Sequence, residues 1–406
     1  MDEVLLSSVI EACVRIGKPD MVMQQLEQLH ASGQVAVNGP HTFGSLIKAY
    51  GHTKDMPGVW RCWREMRSRH VKPTSITIGC MVEAVASNGD MDGAHELVQQ
   101  LMEDDLCKEQ VNAVIYCSVL KAYSRARKLE RVWAVWNEML GHSIAPSIVT
   151  FNAMIDACAR NSDMGSVPGL MSDMKARGLT PNLITYSTML KGCCMSGDLR
   201  SAFGVLDEMK SSTKLKPDEI MYNTLLDGCA QNGLVAEGER VLEEMQAEGV
   251  TPSSYTLTVI AKLMGNAKRA DRAFELVQEL SRKYRFKPNA HVYAGLIQAC
   301  INTRDVIRAE KVFCQMVSDR MQVEPRTWQA LIRASMGAGN YEQTVRLLSI
   351  VLGATGPYGK PQAYRACKVT DAAFVKETLQ VLSDKGDHIA AKVQPLAALA
   401  SRSSTR

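Results

Sequence analysis

The chain has 406 residues, 46% of them apolar, 22% charged and 6% aromatic, with a formal net charge of +4. That balance belongs to a folded chain and excludes a collagen-like, disordered or charge-run protein. So small a charge also argues against indiscriminate coating of nucleic acid through lysine and arginine alone.

From the N-terminus, Met1-Asp2-Glu3-Val4 leads directly into an apolar-periodic stretch. It lacks the basic start and apolar core of a secretory signal and the Arg/Ser-rich character of a transit peptide. No run of 18 apolar residues predicts a membrane span. Twelve cysteines in this length are too dilute for a disulfide scaffold, and no C-x-x-C spacing supports a zinc ribbon or dithiol centre. No metal and no cofactor is expected.

An internal repeat organises most of the chain. Apolar pairs begin at Val9, Leu46, Met81, Val119, Met154, Met189, Leu225, Ile260, Leu296 and Leu331, spaced 35 to 38 residues apart. Three residues earlier stands an aromatic or apolar residue, among them Phe43, Tyr116, Phe151, Tyr186, Tyr222, Tyr293 and Trp328. Three residues later, nine of ten positions are Ala or Gly, Gly192 among them, so neighbouring helices are expected to approach closely there. Twenty residues after the pair start comes a Met-rich column: Leu29, Met66, Leu101, Met139, Met174, Met209, Met245, Leu280, Met316 and Val351. Unbranched Met suits irregular gaps between stacked helices. The approximate units are 3–39, 40–74, 75–112, 113–147, 148–182, 183–218, 219–253, 254–289, 290–324 and 325–356.

Within 148–182 the pattern is helix, turn, helix. The first helix carries Phe151, Met154, Ile155 and Cys158; Asn161-Ser162-Asp163 breaks it; Met164, Val167, Leu170, Met171 and Met174 form the second. Gly178 and Pro181 close the unit. Neither helix can bury its apolar face alone, whereas stacked pairs share one core, so the fold class is all-α, an α-solenoid of about ten helix-turn-helix repeats with a concave surface. Cys13, Cys158, Cys193, Cys229 and Cys300 share one position and read as small buried hydrophobes. The doublets Trp60–Trp63 and Trp133–Trp136 fall on second helices and are expected to pack. Beyond Leu352, the segment 357–400 is expected to form a helical cap, with a helix over Asp371–Ser383, and 401–406 a disordered basic tail. Gly353 to Lys360 has the wrong spacing for a phosphate-binding loop and reads as a linker.

Unit ends such as Leu179-Thr180-Pro181-Asn182, Leu215-Lys216-Pro217-Asp218 and Val250-Thr251-Pro252-Ser253, and openings such as Val149-Thr150-Phe151-Asn152 and Met221-Tyr222-Asn223-Thr224-Leu225-Leu226, closely resemble the pentatricopeptide repeat in its plain 35-residue form. The resemblance implies a right-handed superhelix that binds single-stranded RNA in chloroplasts or mitochondria, one base per repeat. It implies that the fifth and last residues of a repeat read the base edge and that the second covers the base faces, a division that suits unstacked bases.

Carried over, it assigns Asn152 with Asn182 to a pyrimidine, Ser187 with Asp218 to G, Asn223 with Ser253 to C, and Thr258 with Asn289 to A: 5′-pyrimidine-G-C-A-3′. Val149, Ile184, Ile220, Tyr255 and His291 would flank these bases. Elsewhere Gly44, Gly79, Cys117 and Ala294 stand where a reader should be, and the junction before Trp328 is two residues short. Arg15, Arg125 and Arg160 are candidate phosphate contacts, few enough to imply a shallow salt dependence. The resemblance further implies a monomer that is not an enzyme and not a membrane protein. Its partner would be single-stranded RNA, joined by RNA-processing or ribosomal proteins. Its role would be transcript stabilisation, processing or translation. The competing expectation is a protein-binding scaffold, such as a component of an organellar ribosome.

Overall fold

The computed structural model describes residues 3–16, 39–354 and 371–403. Leu29 and the linker from residue 355 lie outside the described residues. The chain divides into two compact units, residues 1–215 and 216–406.

In the first unit, the first helices of successive pairs are Glu3–Ile16, Pro40–His52, Ser75–Ser87, Ala113–Arg125, Ile148–Arg160 and Leu183–Met195. The described second helices are Met56–Ser68, Met91–Glu103, Leu129–Gly141, Val167–Ala176 and Leu199–Ser212. Successive first helices pack on each other, and each second helix packs on the first helix of its own pair. The second unit follows the same plan. Its first helices are Glu219–Asn232, Ser254–Asn266, Ala290–Asn302 and Pro325–Gly337, and their partners are Val235–Ala247, Ala270–Tyr284, Val306–Ser318 and Tyr341–Leu352. The architecture is an α-solenoid.

The sequence columns explain the packing. Phe43, Tyr116, Phe151 and Tyr186 in the first unit, and Tyr222 and Trp328 in the second, are fully buried. Tyr293 is half-buried, and its hydroxyl donates to Asp319 Oδ2 at 2.6 Å. Met66, Met139, Met174 and Met209, and likewise Met245 and Met316, are buried. At Gly192 a Cβ would lie 2.8 Å from Ala159 Cβ and 2.6 Å from Met164 Sδ, so only glycine permits that approach. Trp63 and Trp136 pack, Trp136 edge-on to Phe151 at 5.1 Å, while Trp60 and Trp133 are half-exposed. Cys158, Cys193, Cys229 and Cys300 are buried free thiols, and burial pushes Cys158 up to about 12. Such thiols stay protonated and inert near neutrality.

Most first helices start at a polar cap. Thr74, Ser147 and Asn182 cap the following helices through side-chain oxygens, as do Asp218, Ser253 and Asn289. Turns inside the pairs close through one left-handed residue. It is Gly89 or Gly197 in some pairs, but Lys54, Arg127 or Ser162 in others, at φ 56 to 61°. A side chain there costs about 1–2 kcal/mol; for the cations, the carbonyl end of the preceding helix offsets part of it. In 148–182 the second helix proper starts at Val167, because Met164–Ser166 forms a 3₁₀ turn.

The short junction before Trp328 has a simple geometry. Pro325 has moved inside the helix to its first position, and Glu324 takes the capping site without a side-chain cap. At the C-terminus Asp371 caps Ala372–Ser383. A further helix, Asp387–Ser403, absorbs Pro395 and runs into residues 401–403, where the sequence suggested a tail; 404–406 lie outside the described residues.

Candidate nucleic-acid interface

Helical geometry places the second, fifth and ninth residues of each first helix on one face. In the first unit repeat 2 has exposed His41 as its second residue. Those of repeats 3 to 6, Ile76, Val114, Val149 and Ile184, are exposed apolar side chains, Ile184 at 63%. In the second unit Ile220 and Tyr255 are exposed in the same way, Ile220 at 66%, while the later repeats carry His291, exposed with Nδ1 3.9 Å from Glu324 Oε1, and Arg326. Single exposed apolar residues are ordinary, but one in each successive repeat, in phase on one face, makes a stripe within each unit. Flat apolar or aromatic ligand faces would fit against it.

Three residues further on, Asn152 is half-buried and wired to Asn182 through a third residue. The buried Thr185 hydroxyl lies 2.7 Å from Asn152 Oδ1 and 3.0 Å from Asn182 Oδ1, and it accepts from the Asn182 backbone N–H at 3.2 Å. Asn182 Oδ1 also accepts from the Thr185 backbone N–H at 3.0 Å, and Asn152 Nδ2 reaches it at 3.4 Å. Both amide oxygens are therefore occupied inside the protein, which leaves amide N–H donors to face a ligand.

The other fifth residues differ. Ser187 is half-buried. Thr258 donates its hydroxyl to Ser254 O at 3.0 Å and keeps lone pairs available. Asn223 is only 6% exposed; its Nδ2 donates to Glu219 Oε1 at 3.1 Å, while its Oδ1 is buried with no hydrogen-bond partner. A buried amide oxygen without a donor costs about 1–3 kcal/mol. Cys117 is buried, with Sγ 3.9 Å from Val149 O.

The last-position residues each spend one acceptor on a helix cap. Asp218 Oδ1 accepts from Met221 N at 2.9 Å, Ser253 Oγ from Tyr255 N at 3.1 Å, and Asn289 Oδ1 from Val292 N at 3.0 Å. Capping leaves Asp218 its second oxygen and Asn289 its Nδ2 donor. Ser187 and Asp218 belong to different compact units, so each stands here by itself.

Of the basic candidates, Arg15 lies 3.9 Å from Glu11, and Arg160 Nε is paired with Asp156 Oδ2 at 2.5 Å. Arg125 is exposed and forms no ion pair among the described residues. Arg160 is thus half-neutralised before any ligand arrives, a partner that the column of basic residues did not disclose.

Thr185 is the residue that reading the columns missed. Its signal was present: a polar cap followed three residues later by Thr recurs as Thr74/Thr77, Ser147/Thr150, Asn182/Thr185 and Ser253/Thr256. That is a capping-box spacing with Thr in place of the usual Glu or Gln.

Comparison with known proteins bears on this arrangement. The "PPR repeat family" profile matches residues 111–160 and 146–195, and two "PPR repeat" profiles match 213–246 and both 41–71 and 184–213. The "pentacotripeptide-repeat region of PRORP" profile matches 234–354. A pentatricopeptide repeat-containing protein of Arabidopsis thaliana is 22% identical over 168 residues, covering 40% of this chain and 29% of that protein. The mitochondrial 15S rRNA processing factor CCM1 of Komagataella phaffii is 27% identical over 79 residues, 20% of this chain and 11% of its own length. These alignments thus span less than a third of either relative. The solved structure of yeast Rmd9p in complex with a 16-nt target RNA superposes with a TM-score of 0.51 at 9% identity, covering 98% of this chain and 96% of that one, a likeness of fold.

Proposed function

We propose, from the premise that this chain belongs to the pentatricopeptide repeat family, that it is a non-catalytic, sequence-specific binder of single-stranded RNA. The carrying observation is the exposed apolar residue at the second position of repeats 3 to 8, each three residues before a polar or small side chain on the same face. Covering base faces with the aliphatic residues removes apolar area from water at about 25 cal/mol per Å², and Tyr255 can add base stacking of about 1–3 kcal/mol.

The groups left over at each reading position support the base assignments. Asn152 and Asn182 present N–H donors, which suit the carbonyl acceptors of a pyrimidine. The second Asp218 oxygen only accepts, which suits the N–H donors of guanine, and Ser187 is paired with it in sequence phase alone. Asn223 Oδ1 is buried without a donor, so a turn of its amide towards the face would give it the amino donor of cytosine as a partner, with Ser253 in sequence phase. The Thr258 lone pairs and Asn289 Nδ2 match the donor and acceptor on the adenine edge. The reading is 5′-pyrimidine-G-C-A-3′ across four consecutive repeats, with ten repeats over residues 3–356 and a helical cap over 357–400. A monomer in a mitochondrion or chloroplast, protecting, processing or exposing a transcript, completes the proposal; the Komagataella relative's name carries the first compartment.

A protein-binding scaffold is the second reading. Gly79 favours it: the position is open, with nothing within 4 Å of a Cβ, and offers a base no side chain. Selection from a random single-stranded RNA pool separates the two. Enrichment of the four-base core supports RNA reading, and a pool without any enriched motif refutes it. Changing Asn223→Thr together with Ser253→Asp should move the third base from C towards G; an unmoved preference defeats that assignment.

A further inference from the structure

One helical turn beyond the base-reading positions, a column alternates in sign. In the first unit it reads Glu83, Lys121, Asp156, Lys191, and in the second it opens with Asp227 and Lys262. Lys48 precedes Glu83 in phase, while in the second unit neutral Gln298 stands between Lys262 and Arg333. Lys121 and Lys191 follow Val114 and Ile184 by seven residues, so they share a face with the apolar stripe, and both are exposed. Neither forms an ion pair among the described residues. Two of the acids are engaged: Asp156 holds Arg160 at 2.5 Å, and Asp227 holds Lys262 Nζ at 2.7 Å and Gln231 Nε2 at 2.6 Å.

Repeat 4 therefore offers a phosphate two cations, Lys121 and Arg125. Repeat 6 offers Lys191. Repeat 5, between them, offers a carboxylate and an arginine that cancel. A strand that places one nucleotide per repeat brings one phosphate past each of these in turn. A phosphate is drawn to the cationic repeats and gains nothing from the neutralised one.

Resting on the RNA-binding reading above, we infer that within the first unit the chain grips the phosphodiester backbone at repeats 4 and 6, through Lys121 with Arg125 and through Lys191, while Asp156 withholds Arg160 from the intervening phosphate. Neutralisation is thereby kept low by placement as well as by a scarcity of cations. Asp156, rather than Arg160 itself, sets what repeat 5 can do.

The test uses the full chain and an RNA carrying the selected core, with single phosphates replaced one at a time by neutral methylphosphonate. Replacement opposite repeats 4 and 6 should weaken binding roughly fivefold or more, and opposite repeat 5 less than twofold. Lys191→Ala should lower the slope of log affinity against log salt by about 0.7, and Asp156→Lys should raise it by about 0.7, one phosphate each on a single strand. Asp156→Lys should also make the repeat 5 phosphate sensitive to replacement, with the preferred base unchanged. Equal sensitivity, or none, at all three phosphates of an RNA that still binds with its core preference overturns the two-repeat grip and leaves the RNA reading intact. If no RNA binds, both fall.

Discussion

Replacing Thr185 by Val keeps the shape of a buried side chain and removes one hydroxyl. That hydroxyl lies 2.7 Å from Asn152 Oδ1 and 3.0 Å from Asn182 Oδ1 and accepts the Asn182 backbone N–H at 3.2 Å. Each such hydrogen bond is worth about 1 kcal/mol net, and Asn152 Oδ1 is left without its short bond, so a loss of about 2–3 kcal/mol in unfolding free energy is expected. Thr150→Val is the matched control. The Thr150 hydroxyl serves Ser147 alone, at 2.9 Å from its Oγ and 3.2 Å from its N–H, and it does not bind Cys117, the fifth residue of the preceding repeat. Its loss should cost about 1–2 kcal/mol as a damaged cap. Urea denaturation measures both. Binding to RNAs varied at a single base measures the second consequence: Thr185→Val should lose roughly tenfold discrimination at the pyrimidine, about 1.4 kcal/mol, while Thr150→Val should leave it unaltered. If the two variants behave alike in both assays, Thr185 is a capping residue and does not position Asn152.

Gly192→Ala places a methyl 2.8 Å from Ala159 Cβ and should destabilise the first unit by about 1–3 kcal/mol through overpacking. Gly165→Ala, with nothing within 4 Å, should not, and thermal unfolding of both compares them. Glu138 gives a pH dependence. Burial opposes its ionisation, but hydrogen bonds from Gln99 at 2.9 Å, His95 at 2.9 Å and Tyr116 at 3.2 Å outweigh this and hold its pKa below the ordinary carboxylate value of 4.5. A lowered folded-state pKa contributes stability that is complete above the unfolded value and lost as pH falls through the folded one. Melting temperature should therefore drop on acidification below about pH 4.5, with a shallower drop in Glu138→Gln; parallel profiles would show that this carboxylate contributes nothing there.

Much of the fold was legible because a repeat states its packing many times over. The aromatic, Met and small-residue columns each do one job in every pair, and buried Phe151, Met174 and Gly192 stand where those columns put them. The reading positions were less legible because one residue type serves two purposes. Asn182, Ser253 and Asn289 are polar because a helix start needs a cap, whether or not a base is read, and the cap decides which atom remains for a ligand.

By itself, the sequence determined the helical pairs, the register of the stripe and the family, since these follow from period and residue type, which are local and repeated. The tertiary structure decided what each polar atom has left to give. It joined Asn152 to Asn182 through Thr185 and buried Asn223 Oδ1 without a donor, whereas the Asp156–Arg160 pair, four residues apart on one helix, follows from local spacing. The first two outcomes depend on distances of under 4 Å between side chains on different turns or different helices, and periodicity alone does not fix such distances.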